Sequence, residues 1–236
     1  LAKAAAVAPA SVGNVAIGFD ILGFSVDALG DRATVIRSDS PGVVISRATG
    51  VVSDIPREPE KNTAGRALMA MLEDLDPGFG IELHLDKGIP LGSGLGGSAA
   101  SAVAAVVAAN ALLSEPLSKI ELHPHMFMST RDARGILKGS VEMSDFVWQT
   151  ANLAGFISGC YTDDLDMIRA SFEDVVIQPQ RQQLIPGFDS VRNAALAAGA
   201  LGCSISGAGP TVFAWSLEAE AEAVRRDMLA QFVRAG

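Results

Sequence analysis

A glycine-rich stretch in the first half of the chain has the residue types of an anion site. Residues 89–101 have the sequence IPLGSGLGGSAAS, and four of the six residues from Gly92 to Gly97 are glycine. An uninterrupted helix pattern rich in alanine and valine follows, from Ala99 to about Leu113. Glycine N–H groups are not shielded by side chains, and a helix carries roughly half a positive charge at its first turn. The pattern predicts a bound phosphate, and therefore a nucleotide or a phosphorylated ligand.

Three alternative assignments fit this stretch less well. Gly92-x-Gly94-x-x-Gly97 fits the dinucleotide fingerprint, but residues 87–90 interrupt the preceding strand and no strand pattern follows the helix. A Walker-type loop needs a lysine before its last hydroxyl residue, and residues 96–98 are Gly-Gly-Ser. A plain structural turn before a packed helix needs fewer glycines and serines than are present here.

The stretch resembles the phosphate-binding motif of the GHMP kinase superfamily, apolar-Pro-x-Gly-Ser-Gly-Leu-Gly-Ser-Ser-Ala, with Gly97 in place of the first paired serine. Pro9–Asp20 and Gly202–Thr211 stand where the superfamily has its other motifs. The resemblance implies an α+β, two-lobed GHMP kinase fold with the active site between the lobes. A ribosomal S5 domain 2-like N-terminal lobe is expected over residues 1–122, and a ferredoxin-like C-terminal lobe over residues 123–236.

Within the superfamily the sequence is most similar to the homoserine kinases. Gly13–Asp20 resembles their substrate-side signature, and Ser129–Arg134 and Pro179–Gly187 resemble two further segments. The resemblance implies phosphorylation of the side-chain hydroxyl of L-homoserine in threonine biosynthesis, with ATP as the donor and Mg²⁺ as the cofactor. Two alternatives stay open: another small-alcohol kinase of the superfamily, or a catalytically silent nucleotide-binding relative.

The expected nucleotide contacts come from the glycine-rich stretch and from residues 61–64, which resemble the segment that borders the adenine in these kinases. They are Asn62, Pro90, Leu91, Gly92, Ser93, Gly94, Leu95, Gly96, Gly97 and Ser98. Ser98 is also expected to offer its hydroxyl to Mg²⁺, and the alternative is that this hydroxyl caps the helix. The glutamate that completes the metal site in the family is left unassigned.

The substrate implied by the resemblance carries an ammonium, a carboxylate and a hydroxyl. Asp20 suits the ammonium and Asn14 suits polar positioning. Arg134 and Arg181 suit the carboxylate, because a guanidinium binds a carboxylate through two parallel hydrogen bonds. Either arginine could also contact the transferring phosphoryl group.

Catalytic roles are therefore expected for Arg134 and Arg181, and for Thr130 as a hydrogen-bond donor near the γ-phosphate. Alternatives remain for each assignment. Arg181 could be a solvated cation at a strand end, Thr130 could cap a helix over residues 131–138, and Asp20 could act as a base. Lys87 is expected to be a surface charge.

Composition restricts the partners. The net charge of −9 at pH 7 argues against a nucleic-acid partner, and it requires local cations around anionic ATP. No apolar run reaches the ~20 residues that a membrane helix needs. The two cysteines, Cys160 and Cys203, are expected to be reduced thiols of a cytoplasmic protein, although a disulfide between them stays open. A homodimer stays open.

Apolar periodicity predicts the elements that position these residues. Strands are expected at 1–8, 33–37, 43–47, 81–85, 125–128, 203–205 and 211–215, and helices at 62–75, 99–113, 145–158, 165–171, 189–198 and 218–233. Residues 118–121 form a capping box that announces a helix, but Pro124 ends it after one turn. This conflict suggests that a segment is missing between Leu122 and His123. The alternative is a true deletion, which would favour the silent relative.

Overall fold

The computed structural model describes residues 1–118 and 137–235, which form an α+β fold as expected. The strands are Lys3–Gly13 (β1), Gly23–Ser38 (β2), Val43–Gly50 (β3), Gly80–Lys87 (β4), Gly202–Ile205 (β5) and Val212–Trp215 (β6). The helices are Thr63–Leu75 (α1), Gly97–Asn110 (α2), Met143–Thr162 (α3), Leu165–Ser171 (α4), Gln178–Arg181 (α5), Phe188–Ala197 (α6) and Glu218–Ala235 (α7). The strand predicted at 125–128 lies outside the described residues, as does the proposed gap after Leu122.

β1 to β4 form one sheet in the order β1-β2-β4-β3, with β2 antiparallel and β3 parallel to β4. The alternation predicted for residues 81–85 is confirmed, because Ile81, Leu83 and Leu85 are buried. On β2 the residues paired with this face are buried too, with Val35 opposite Leu83 and Ala33 opposite Leu85. The buried face packs against α1 and α2.

α2 starts two residues earlier than predicted, at Gly97, because Gly96 adopts a left-handed conformation that ends the loop and caps the helix. It ends at Asn110, three residues before the predicted end. The Asn110 side chain accepts a hydrogen bond from the Leu117 N–H (2.8 Å) and donates one to the Leu117 carbonyl (3.0 Å). This pair of bonds turns the chain away from the helix axis and fixes the following segment.

The chain divides into two compact units. The first contains Leu1–Ser11 and Ser25–Ser129, and the second contains Val12–Phe24 and Thr130–Gly236. Val12–Phe24 belongs to the second unit because its apolar side chains lie in that unit's core. The lobe boundary expected between residues 122 and 123 lies outside the described residues and stays a prediction.

The described part of the second unit contains α3 to α7 and an antiparallel pair of strands, β5 and β6. Its main core is aromatic: the Phe156 ring lies 5.1 Å from Trp215 and 5.6 Å from Phe172, measured between ring centres. Val15, Ala16 and Ile17 of the early segment pack into the same core. This packing holds Val12–Phe24 in a fixed place within the unit.

Candidate active site

The glycine-rich loop connects the end of β4 to the start of α2. Gly92, Gly94 and Gly96 have φ angles of 65°, 77° and 69°, in the left-handed region that side chains disfavour. At Gly96 the restriction is also spatial, since a Cβ there would collide with the Ser11 Oγ. Left-handed residues placed at every second position turn backbone N–H groups toward a common side, which is the backbone geometry of an anion-binding concavity.

The first turn of α2 supplies further donors. The first hydrogen bond of this helix runs from the Ala100 N–H to the Gly96 carbonyl (2.9 Å), so the N–H groups of Gly97, Ser98 and Ala99 precede the helical ladder. Gly96 offers no side chain to cap them. The loop and the helix start therefore place unshielded donors at the positive end of a 14-residue helix.

Ser98 is the second residue of α2, so the alternative that it caps the helix is wrong; Gly96 occupies that position. Its hydroxyl has no hydrogen-bond partner within the described parts of the chain, whereas its carbonyl accepts a bond from the Thr63 Oγ1 (3.2 Å). The half-buried hydroxyl lies beside the donors of the helix start. Its role as a Mg²⁺ ligand stays a prediction.

Asn62 is the N-cap of α1. Its Oδ1 accepts hydrogen bonds from the N–H groups of Ala64 (3.0 Å) and Gly65 (3.3 Å), and its Nδ2 donates to the Pro56 carbonyl (2.9 Å). The side chain is buried. A helix cap therefore accounts for this residue fully, and its expected place beside the adenine continues to rest on the resemblance.

Lys87 is not a surface charge, contrary to the prediction. It is 3% exposed and forms a salt bridge with Asp31, which is fully buried. Its Nζ also donates to the Ser101 Oγ (2.7 Å) and to the Gly97 carbonyl (3.1 Å). We call Asp31, Lys87 and Ser101 the buried cluster.

The sequence did contain a signal for the buried cluster. Lys87 continues the inward alternation of Ile81, Leu83 and Leu85 on β4. Asp31 does the same on β2, and it lies one step beyond the Arg32–Asp86 register pair. A charged residue of each sign at the end of two adjacent inward rows is the pattern of a buried ion pair, whereas Lys87 taken alone suggested only a surface charge.

In the second unit, three consecutive residues, 14–16, form a turn with positive φ angles. The φ angles of Asn14, Val15 and Ala16 are 77°, 44° and 57°, and the Gly18 N–H donates to the Asn14 carbonyl (2.8 Å). This conformation costs energy for residues with a Cβ, above all for a β-branched valine. The packing of the turn into the aromatic core and a bond from the Gln149 Nε2 to the Ile17 carbonyl (3.1 Å) hold it in place.

The turn positions Asn14 and Asp20 beside each other. The Asp20 N–H donates to the Asn14 Oδ1 (3.2 Å), and the Asn14 Nδ2 donates to the Gly207 carbonyl (3.1 Å). Asp20 is exposed. Gly207 lies in the Ser-Gly-Ala-Gly turn between β5 and β6, so two of the three motifs meet here.

Arg181 joins the same group. It is 4% exposed, its Nη1 donates to the Gly207 carbonyl (3.0 Å), and its guanidinium lies 5.3 Å from the centre of the Phe19 ring. It ends a helical turn, α5, so the alternative of a solvated cation at a strand end is wrong. The structure thus brings Asn14, Asp20 and Arg181 together within the second unit, while Thr130 and Arg134 lie outside the described residues.

The donor types of this group suit a zwitterion. The group joins Asp20, through its backbone N–H, to the Arg181 guanidinium, and these two side-chain types complement an ammonium and a carboxylate on one small molecule. Residues 1–118 and 137–235 contain no cluster of three or more histidine, cysteine, aspartate or glutamate side chains that could hold a metal ion. In the same ranges no helix is both long and apolar enough to cross a bilayer.

Comparison with known families identifies the class. Residues 62–141 match the model of the GHMP kinase N-terminal domain, and residues 156–234 match that of the GHMP kinase C-terminal domain. The first match contains the glycine-rich loop, and the second contains Arg181 and Gly207. The chain thus carries both domains of one kinase class.

Named relatives narrow the assignment. The homoserine kinase of Xylella fastidiosa (strain M12) is 43% identical over an alignment that covers 99% of this chain and 88% of that protein. The homoserine kinase of Chloroherpeton thalassium is 38% identical over an alignment that covers 95% of this chain and 91% of that protein. The crystal structure of homoserine kinase from Cytophaga hutchinsonii superposes with a TM-score of 0.92 at 36% identity. The superposition covers 99% of this chain and 91% of that structure's chain. The chain belongs to the homoserine kinase family of the GHMP kinases.

The Xylella and Chloroherpeton relatives are longer in the matched region. The alignment with the Xylella protein runs over 285 positions, more than the 236 residues of this chain, so many of its positions have no counterpart here. The comparison confirms that the chain lacks residues that relatives carry. It does not place them, and the location after Leu122 stays a prediction.

Proposed function

We propose that the protein transfers the γ-phosphoryl group of ATP to the side-chain hydroxyl of L-homoserine, giving O-phospho-L-homoserine and ADP, a step of threonine biosynthesis. The observation that carries the proposal is 43% identity to a homoserine kinase over 99% of the chain. The use of ATP follows from membership of the GHMP kinases. The unshielded donors of the loop and the polar group around Gly207 support it in chemical terms.

The loop supplies the nucleotide part of the proposed mechanism. The N–H groups of the glycine loop and of the first turn of α2 bind the β- and γ-phosphates. These local donors offset the repulsion between the negatively charged phosphates and a protein with a net charge of −9. In the reaction the hydroxyl oxygen forms a bond to the γ-phosphorus, and the bond from this phosphorus to the bridging oxygen breaks. The hydroxyl proton is released, so atoms and charge balance.

Mg²⁺ is part of the proposal, and the donor set fits it. Mg²⁺ binds oxygen ligands, keeps several waters, and is usually held by one or two protein groups together with substrate phosphates. The Ser98 hydroxyl, beside the helix start and without a partner in the described chain, is such a group. When bound, the ion would neutralise charge on the phosphates.

The group around Gly207 supplies the substrate part. Asp20 is proposed to bind the ammonium of homoserine, Asn14 to orient it, and Arg181 to bind the carboxylate. Burial and the bond to Gly207 fix the Arg181 guanidinium before any substrate arrives, which lowers the entropy lost on binding. Arg134 and Thr130 are proposed to act beside them on the strength of the resemblance alone.

The proposal has no general base. Phosphoryl transfer depends mainly on positioning and charge neutralisation, because little bond formation to the incoming oxygen precedes the transition state. A base is therefore not required by the chemistry. Asp20 is placed in ammonium binding, where its negative charge complements the substrate directly.

The substrate test is an ADP-release assay with L-homoserine, mevalonate, galactose and shikimate, with product identity checked by mass spectrometry. The highest kcat/KM is expected for L-homoserine. A higher value for another alcohol would replace the proposed substrate within the same superfamily. Binding of ADP with no turnover of any alcohol would identify a silent nucleotide-binding relative.

Two further properties belong to the proposal. A homodimer is supported by apolar side chains that α3 exposes, among them Met143, Phe146 and Trp148, and sedimentation velocity measures it directly. A cytoplasmic location is supported by Cys160 and Cys203, which form no disulfide.

A further inference from the structure

The buried cluster contacts both ends of the glycine loop. At the start of the loop, the Asp31 Oδ1 accepts hydrogen bonds from the N–H groups of Gly88 and Ile89, both at 3.0 Å. At its end, the Lys87 Nζ donates to the Gly97 carbonyl at 3.1 Å. One ion pair therefore fixes the residues at both ends of the loop.

Every polar position of the ion pair is used. The three donors of the Lys87 ammonium bind the Asp31 Oδ2, the Ser101 Oγ and the Gly97 carbonyl. The Asp31 carboxylate accepts two backbone bonds on Oδ1, and on Oδ2 it accepts Lys87 and the Ser101 hydroxyl (2.6 Å). Ser101 lies one turn into α2, so the cluster also fixes how the helix is rotated above the sheet.

Stability alone does not explain an ion pair at this place. Replacing a buried pair with well-packed apolar residues is often neutral or stabilising, because the pair must lose its hydration. The preceding inward residues of the same two rows are apolar, Ala33 and Val35 on β2 and Leu83 and Leu85 on β4. The inward-facing residues of β2 and β4 change from apolar to charged at the point where the loop begins. This position indicates that the charges serve the loop.

We propose that Asp31, Lys87 and Ser101 are positioning residues that hold the glycine loop and the start of α2 in the shape that binds the phosphates of the nucleotide. They act through backbone atoms of the loop and not on the phosphates themselves, since Lys87 is buried and its three donors are occupied. The inference rests on the proposed function only in taking that ligand to be ATP.

The test uses the full chain with both charges removed, Asp31→Asn with Lys87→Met, so that neither charge is left buried and unpaired. The dissociation constant of ADP and the KM for ATP are each expected to rise by about tenfold or more, the equivalent of one charge-assisted hydrogen bond. The KM for homoserine is expected to stay within about twofold of wild type, since the substrate group belongs to other residues. Urea unfolding confirms that the measured protein is folded.

Lys3→Met is the matched control, because Lys3 is an exposed lysine of the same sheet. It is expected to leave the dissociation constant of ADP unchanged. A folded double variant that binds ADP as tightly as wild type overturns the inference. The same holds if the KM values for ATP and homoserine rise together, which indicates a general structural effect.

Ser101→Ala keeps the ion pair and decides the matter if the double variant does not fold. It is expected to weaken ADP binding by about fivefold, the value of one net hydrogen bond. Unchanged ADP binding in folded Ser101→Ala protein overturns the inference. Failure of the proposed function is a separate result: wild-type protein would then bind ADP but not phosphorylate homoserine, and the ADP measurements would still test the buried cluster.

Discussion

Asn14 and Arg181 donate hydrogen bonds to the same acceptor, the carbonyl oxygen of Gly207, at 3.1 and 3.0 Å. One backbone atom thus fixes the distance between an amide and a guanidinium that are far apart in sequence. Since Asn14 also accepts a bond from the Asp20 N–H, the arrangement extends to the carboxylate residue. Under the proposed function, a substrate with charges of both signs would meet a group whose backbone positions are already set.

Arg181→Lys is expected to raise the KM for homoserine by about 10- to 100-fold, because a charged hydrogen bond contributes about 1.5–3 kcal/mol and lysine cannot present a planar fork. The KM for ATP should change by less than about twofold. Steady-state kinetics with each substrate varied in turn measures both. Arg225→Lys, on the exposed surface of α7, is the control, and an unchanged KM for homoserine in Arg181→Lys would remove Arg181 from the substrate group.

Ser98→Ala is expected to raise the Mg²⁺ concentration for half-maximal rate by about tenfold, which corresponds to a loss of about 1.4 kcal/mol. The thermal unfolding midpoint should not move, because the hydroxyl makes no bond within the described chain. Ser98→Thr should recover part of the rate, since it restores a hydroxyl. A Mg²⁺ dependence identical to wild type would exclude Ser98 as a ligand. Ser158→Ala, at an exposed position of α3, controls for serine removal.

Asn62→Ala should lower the free energy of unfolding by about 0.5–2 kcal/mol, the usual cost of losing a helix N-cap. Asn62→Ser should recover most of this, because serine caps about as well as asparagine. Urea denaturation measures both variants. If Asn62 also borders the adenine, the KM for ATP stays raised in Asn62→Ser although stability returns. Stability unchanged in Asn62→Ala would contradict the capping role.

Cys203 predicts a pH dependence of stability. Burial raises the pKa of this thiol to about 12 from an ordinary value of 9.0, so the unfolded chain loses the proton first as the pH rises. The free energy of unfolding then falls between about pH 9 and pH 12, by about 1.4 kcal/mol for each pH unit. We expect the free energy of unfolding to fall less steeply with pH in Cys203→Ala than in wild type over this range, as measured by urea denaturation at each pH. Parallel curves for the two proteins would contradict the shifted pKa.

The loop and the helix after it were predictable because their signal is local. Four glycines in six residues followed by an alanine-rich run leave few alternatives, and only the helix ends were displaced. The displacement has local causes too, the left-handed conformation of Gly96 and the Asn110 side chain. α3, α4, α6 and α7 were likewise found from periodicity, with bounds within a few residues.

Other features depend on contacts between distant residues. No local sequence pattern in Val12–Phe24 predicts that its side chains pack with aromatic residues more than a hundred positions later. The resemblance predicts Arg181 as a substrate contact, but periodicity does not predict its contacts with Phe19 and Gly207. Lys87 is a different case, since the alternation that located Leu83 and Leu85 already placed it inward.

The buried cluster makes the glycine loop dependent on how two strands are paired. Side chains of a strand alternate between faces, so a slip of one residue between β2 and β4 would turn Asp31 or Lys87 to the outer face of the sheet. Such a molecule would keep a hydrogen-bonded sheet but lose the anchors of the loop. Tight binding of ADP during refolding would therefore report that these two strands have met in the native register.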